Sequence, residues 1–273
     1  MPGLLSLVSA LALAGNIFAQ AKVPVPEDLL DDEHFREEVG INSFTTPSIK
    51  KIFDQLAELG PIPFDQVKRE SGAAPSDDRI GVALHLGGII ADGFLAVQCE
   101  RYGEMEALGK GVLDNAELLG TGSHIKPRSK ALLEQASKQQ GQKLKEELAR
   151  TQRDVEREMA DLRDVDIAHL VSLGGWVRAF QVGCVTVSAK FTSANARKIA
   201  RADIVGYYLA QLETLHPNLQ ERPQIVAFKA ELTKLSEAID IPDGREVKIE
   251  EVAAWKKIAD RLVAATGKQK PAP

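Results

Sequence analysis

Aromatic side chains make up only 5% of the 273 residues, which leaves little from which to build a base-stacking platform. A basic excess is absent too. Acidic residues outnumber basic ones, 39 to 34, for a formal net charge of −5, whereas a nucleic-acid face calls for a basic surface. Nucleic acid is therefore not an expected partner. Catalytic signatures are also missing: there is no GxSxG elbow, no Cys–His signature, no glycine-rich dinucleotide loop and no CxxCH haem attachment. Gly120-Thr-Gly-Ser123 lacks the lysine that a phosphate loop places after its final glycine, and reads as a helix end. Neither HExxH nor a pair of ExxH motifs occurs, so the known metal sites of helical bundles are not matched. No catalytic residue, metal or cofactor is expected. Strand signals are lacking as well, because the β-branched run Val182–Val187 is short and continues a helical pattern.

What the chain does have is two long apolar stretches. His169 to Val187 reads HLVSLGGWVRAFQVGCVTV, and Val82 to Cys99 reads VALHLGGIIADGFLAVQC. Each carries one Leu-Gly-Gly and one charge near its middle, Asp92 in one and Arg178 in the other. Helices apolar nearly all round are buried or span a membrane. A mid-helix charge is expensive in lipid, so the core of a soluble bundle is the expectation. Gly87 and Gly88 in one stretch, and Gly174, Gly175, Ala179 and Gly183 in the other, are candidate helix-packing positions. At helical pitch Gly175, Ala179 and Gly183 form one narrow strip without large side chains, where another helix can come close.

The fold expected is all-α, a multi-helix bundle or irregular helical array around these two central helices. Its hairpins with short breaks resemble stacked tetratricopeptide-like pairs in architecture only, without their repeat consensus. The composition, 44% hydrophobic and 27% charged, is that of a globular protein long enough for one large or two small domains. Residues 1–21 read as a signal peptide. Leu4–Ala14 is an apolar run of the right length and Ala19-Gln20-Ala21 a small-x-small cleavage site near Ala21, although the opening lacks Lys or Arg. A periplasmic or secreted location follows, with no transmembrane segment in the mature chain. Residues 22–78 form an N-terminal extension with one or two short helices, 79–266 the main helical domain, and 267–273 a polar tail.

Within the extension, the run Asp31-Asp-Glu-His34 is a solvated helix face rather than a cation site. Thr46 caps a helix with Pro47 at its first position, and Ile49, Ile52, Phe53, Leu56 and Leu59 give it an apolar face. Further helices are read over Arg79–Arg101, Met105–Leu119, Pro127–Gln140, Gln142–Asp164, Ser193–Leu215, Pro223–Ile239 and Glu246–Ala265.

Two residue sets are candidates for chemistry. Asp92 and Arg178 are the only opposite charges in the two core stretches, and a buried charge needs a partner. His85, Asp166 and His169 lie toward the starts of the same helices and form a candidate polar site. Cys99 and Cys184 stand either as a disulfide, whose long loop would contribute about 4–5 kcal/mol, or as two buried thiols. A chain turn near Asp164 would make the two apolar helices parallel. A continuous rod there would make them antiparallel and hold the thiols about 30 Å apart. The expected role is an exported, non-enzymatic binding or scaffolding module of the cell envelope, whose partner is another envelope protein. The alternative is a small-molecule- or metal-binding bundle with a polar core site around Asp92 and Arg178.

Overall fold

A computed structural model describes residues 47–69 and 78–266. The signal peptide, the Asp31–His34 run, the cap at Thr46 and the polar tail lie outside the described residues. Those described are 81% helical and contain no strand, an all-α array.

Helix α1 (Ile49–Ala57) opens at Ser48, whose hydroxyl accepts the Lys51 N–H at 3.3 Å. The cap thus falls two residues later than the Thr-Pro pattern suggests. A single turn, α2 (Phe64–Val67), leads to the long apolar helix α3 (Arg79–Gln98). Glu100, at φ +56, ends α3 before the 3₁₀ turn Tyr102–Glu104. Helix α4 (Met105–Leu119) stops at Gly120, whose φ of +90 is the left-handed conformation that favours glycine. Helix α5 (Gly122–Ser137) starts a turn earlier than the proline suggests and carries Pro127 inside it. Only one backbone donor is lost there, close to the end where donors are already unpaired.

After α6 (Gly141–Asp161) the chain breaks, with Arg163 at φ +59 and the Asp164 N–H donating to the Met159 carbonyl. Helix α7 (Val165–Ala189) is therefore a separate element. The stretch read as one helix from Ser193 divides into α8 (Ser193–Ile199) and α9 (Ala202–Thr214), separated by Ala200 and Arg201 without glycine or proline. The single turn α10 (Pro217–Gln220), then α11 (Pro223–Ile239) and α12 (Ile249–Ala265), complete the array.

Helices α3 and α7 form the centre. Around α3 stand α1, α4, α6 and α7, and around α7 stand α1, α3, α6 and α12. The all-round apolar character of both helices has this cause, since every face meets another helix. A β-carbon at Gly87 would collide with the Val171 carbonyl, and one at Gly174 with the Leu84 carbonyl. The backbones meet where no side chain intervenes. Leu84 faces Gly174, and Asp92 further along pairs with Arg178. In an antiparallel crossing at the glycines those two charges would stand about 13 Å apart along the axis, so the helices run in the same direction.

The small-residue strip of α7 meets Gly87 of α3 at Gly175 and otherwise receives α1. Ile49 and Leu56 of α1 lie against Gly175 and Gly183, with Leu56 Cδ2 at 3.0 Å from where a Gly183 β-carbon would stand. Ile49, Ile52, Phe53, Leu56 and Val67 belong to the same buried core as α3 and α7. The described part of the extension, residues 47–69, is thus a strap built into the main body rather than an appendage.

Candidate functional site

A buried ion pair lies one to two turns beyond the glycine contact. Arg178, 3% exposed, and Asp92, 7% exposed, project from α7 and α3. Nε of Arg178 donates to Asp92 Oδ1 at 2.7 Å. The other oxygen, Oδ2, accepts from Nε of Arg69 at 2.5 Å. Arg69 stands just beyond α2, and its guanidinium packs on Gly88, with Nη2 at 2.6 Å from where a β-carbon would be. Gly88 thus makes room for a cation from the strap, while its neighbour Gly87 makes room for α7.

Two further donors of Arg178 go to two more partners. Nη2 donates to the Val67 carbonyl, and Nη1 donates to Gln181 Oε1 at 2.5 Å. Gln181 passes the link outward, its amide donating to Asp260 Oδ1 on α12 at 2.7 Å, and Lys256 holds the second Asp260 oxygen at 2.7 Å. The planar fork of arginine, with five donors in fixed directions, is suited to binding several acceptors at once. One guanidinium therefore ties α7 to α3, to the end of the strap and, through Gln181, to α12. Charged hydrogen bonds satisfy Asp92 and Arg178, as burial requires, whereas Nη2 of Arg69 is buried over Gly88 with no hydrogen-bond partner.

A second buried polar group anchors the other end of the strap. The Gln152 amide accepts from the Ile49 N–H at 3.2 Å, and donates to the Pro47 carbonyl at 3.3 Å and to Glu156 Oε1 at 2.9 Å. Ser172 shares a 2.9 Å hydrogen bond with the Tyr208 hydroxyl. Burial pushes the Tyr208 phenol well up; the Ser172 bond opposes this. Tyr208 also packs against Trp176, ring centroids 5.5 Å apart.

The other polar candidates, His85, Asp166 and His169, lie toward the starts of α3 and α7. Asp166, in the first turn of α7, accepts the His216 backbone N–H at 2.8 Å and so ties the start of α10 to α7. His169 is buried and His85 half-buried. Among the described residues no group of three His, Cys, Asp or Glu side chains is placed to hold a metal ion, so the His85–Asp166–His169 constellation is not a ligand set. Cys99 and Cys184 are free thiols, not a disulfide. Cys99 caps α3 with its sulfur 4.0 Å from the Ile62 carbonyl. Cys184 is wholly buried, and burial, helped by the negative charge of Asp260, pushes its thiol far up. The parallel course of α3 and α7 brings both cysteines toward one end, but to different neighbours: Ile62 for Cys99 and Asp260 for Cys184.

A cleft of about 480 Å³ opens beside Cys99, between residues 61–66 and 98–101. Arg101 lies over the Phe64 ring there at 5.4 Å. Burial raises the Cys99 thiol as well, which lowers its reactivity as a nucleophile.

Arg69, Gln181 and Gln152 complete these networks, and sequence reasoning does not find them. Arg69 stands in a segment with no helical period, and the glutamines lack the charge that made Asp92 and Arg178 conspicuous. No family model, no curated protein and no solved structure matches the chain.

Proposed function

We propose that the protein is an exported, non-enzymatic helical module that binds or scaffolds another protein of the cell envelope. The observation that supports this reading most is the state of the Asp92–Arg178 site. Both Asp92 oxygens are taken by arginines of the same chain, and Arg178 donates to three acceptors of the same chain. A ligand or catalytic site keeps polar groups convergent on open space, whereas these converge on each other. Their work is to fix the register of α3, α7 and the strap. Export rests on the apolar run Leu4–Ala14 and its small-x-small end.

By length and composition α3 and α7 would suit a membrane span, but 100% and 94% of their apolar windows are buried against the rest of the chain. That burial favours core helices of a water-soluble body.

The test is native mass spectrometry of the chain recovered from its own host after mild cross-linking. The expected result is a mature chain beginning near Lys22, free of added small mass, with a fraction cross-linked to a second protein. A metal or organic mass that leaves on denaturation, and that is missing from an Asp92→Asn variant, would overturn the reading in favour of a ligand-binding core.

A further inference from the structure

The cleft between residues 61–66 and 98–101, about 480 Å³, has the size of a small-molecule site. One wall is the apolar turn Pro61-Ile-Pro-Phe64. Its shape is fixed locally: the Phe64 N–H donates to the Ile62 carbonyl at 2.9 Å, and the Lys68 N–H to the Phe64 carbonyl at 2.7 Å. The opposite wall is the end of α3. There the chain reverses at Glu100, φ +56, and the Arg101 N–H donates back to the Ala96 carbonyl at 2.7 Å. This reversal sets Arg101 beside Phe64, with its guanidinium over the ring. Both walls are held by hydrogen bonds of their own, and such preorganisation lowers the cost of binding.

Two donors in the cleft lack a strong acceptor. Arg101 has Asp65 near it at 3.9 Å, but the Asp65 side chain is 87% exposed. A pair so long and so open to water is weak. The Phe64 ring supports the guanidinium by its face, and the N–H donors lie around its edge. Gln98 gives its side-chain oxygen to Lys145 Nζ at 2.5 Å, so the group it has left to offer is the N–H₂ donor. Asp65 and Glu100 bring negative charge to the rim, where both are exposed and screened by solvent. The Cys99 thiol, 4.0 Å from the Ile62 carbonyl, reports the balance of charge inside. Burial raises it most; of the charges beside it, Arg101, which lowers it, outweighs Asp65, which raises it.

We propose that this cleft binds a small organic carboxylate with an apolar body. The carboxylate meets the Arg101 guanidinium and the Gln98 amide, and the body lies along the Pro61–Phe64 wall. A planar guanidinium matches a carboxylate in two parallel hydrogen bonds, and the apolar wall favours acids that carry hydrocarbon over inorganic anions of the same charge. This site is separate from the closed Asp92–Arg178 cluster and goes beyond the reading of the protein as an interaction module. A ligand in an open cleft exchanges with solvent, so neither result decides the other.

The test uses the full-length chain and two probes of one shape, indole-3-acetate and the neutral indole-3-acetamide. Iodoacetamide, itself uncharged, serves as the reporter, because in the native protein Cys99 is partly exposed and Cys184 buried. Saturating indole-3-acetate is expected to slow alkylation of Cys99 about tenfold or more, and the amide to change it by less than about twofold. Arg101→Gln alters a side chain that is 52% exposed, so the fold is not at stake. In this variant, measured against its own rate without probe, the discrimination between acid and amide is expected to disappear. Equal protection by both probes, or by neither, overturns the proposal, as does undiminished protection by the acid in Arg101→Gln. Should native alkylation be too slow to follow, calorimetric titration decides. Saturable heat with the acid and none with the amide supports the site, and no heat with the acid overturns it.

Discussion

Gly87 faces the carbonyl oxygen of Val171 with no room for a methyl group between them. The two central helices pack backbone to backbone at this point, and the depth of that contact sets the position of everything around it.

Alanine at Gly87 should therefore force α3 and α7 apart. Overpacking against a side chain costs about 1–3 kcal/mol, and here the obstacle is backbone, which cannot rotate away, so a loss at or above the top of that range is expected. Gly206, inside α9 with nothing within 4 Å of its missing β-carbon, is the control. Gly206→Ala should stabilise by about 0.5–1 kcal/mol, the ordinary helix preference. Urea denaturation midpoints of the two variants check both signs.

Asp92→Ala leaves two guanidiniums without their shared acceptor. A loss of about 3–5 kcal/mol is expected, as for other broken buried pairs. The combined Asp92→Ala and Arg178→Met change should be milder than Asp92→Ala alone. It does not return to the wild-type value, because Arg69, 24% exposed at its side chain, must still turn to water and the Val67 carbonyl loses its donor. A double variant as unstable as the single one would show that the pair is not coupled.

The two thiols should separate by accessibility. Cys99 is partly exposed and Cys184 fully buried, and burial raises both thiols. A thiol reagent at neutral pH should modify one cysteine slowly in the native protein and the second only in denaturant. Modification of neither thiol in denaturant until a reductant is added would reveal a disulfide instead.

Acid should weaken the start of α12. Glu251 accepts from Arg245 at 2.8 Å and from the Lys248 N–H at 2.9 Å. The Arg245 bond first, and then the backbone bond, hold its carboxyl below the ordinary 4.5. A carboxyl depressed in the folded state contributes fully above its unfolded value and loses that contribution as pH falls through the folded one. Stability attributable to Glu251 should therefore be constant above about pH 5 and fade below about pH 4. Glu251→Gln should lower the denaturation midpoint at neutral pH and show a shallower decline than wild type in acid.

Helix α9 shows where sequence reading reaches its limit. Val205 and Leu212 of α9 are buried as their spacing suggests, yet nothing local marks the break that separates α9 from α8. Both sides of Ala200 carry residues that suit a helix, and only packing against the body distinguishes one helix from two. The same holds for Arg69. A lone arginine in a non-periodic segment looks like surface, and becomes the third member of the Asp92–Arg178 ion cluster only because the strap returns to Gly88. Asp92 and Arg178 were legible because each interrupts an otherwise apolar helix, and burial without a partner is costly.

By itself the sequence determined that the protein is helical and that α3 and α7 are buried, since a helix apolar on every face has no side to offer water. It also determined that glycines would mark the close contacts, because helical pitch fixes which residues share a face. Which helix would meet each face was left to the tertiary structure. The strip at Gly175 and Gly183 receives α1, with α3 also touching it at Gly175, α7 runs parallel to α3 because the chain turns at Arg163, and the two cysteines are not bonded. Periodicity orients side chains within one helix, whereas the choice among neighbours depends on the fit of whole surfaces distant in the chain.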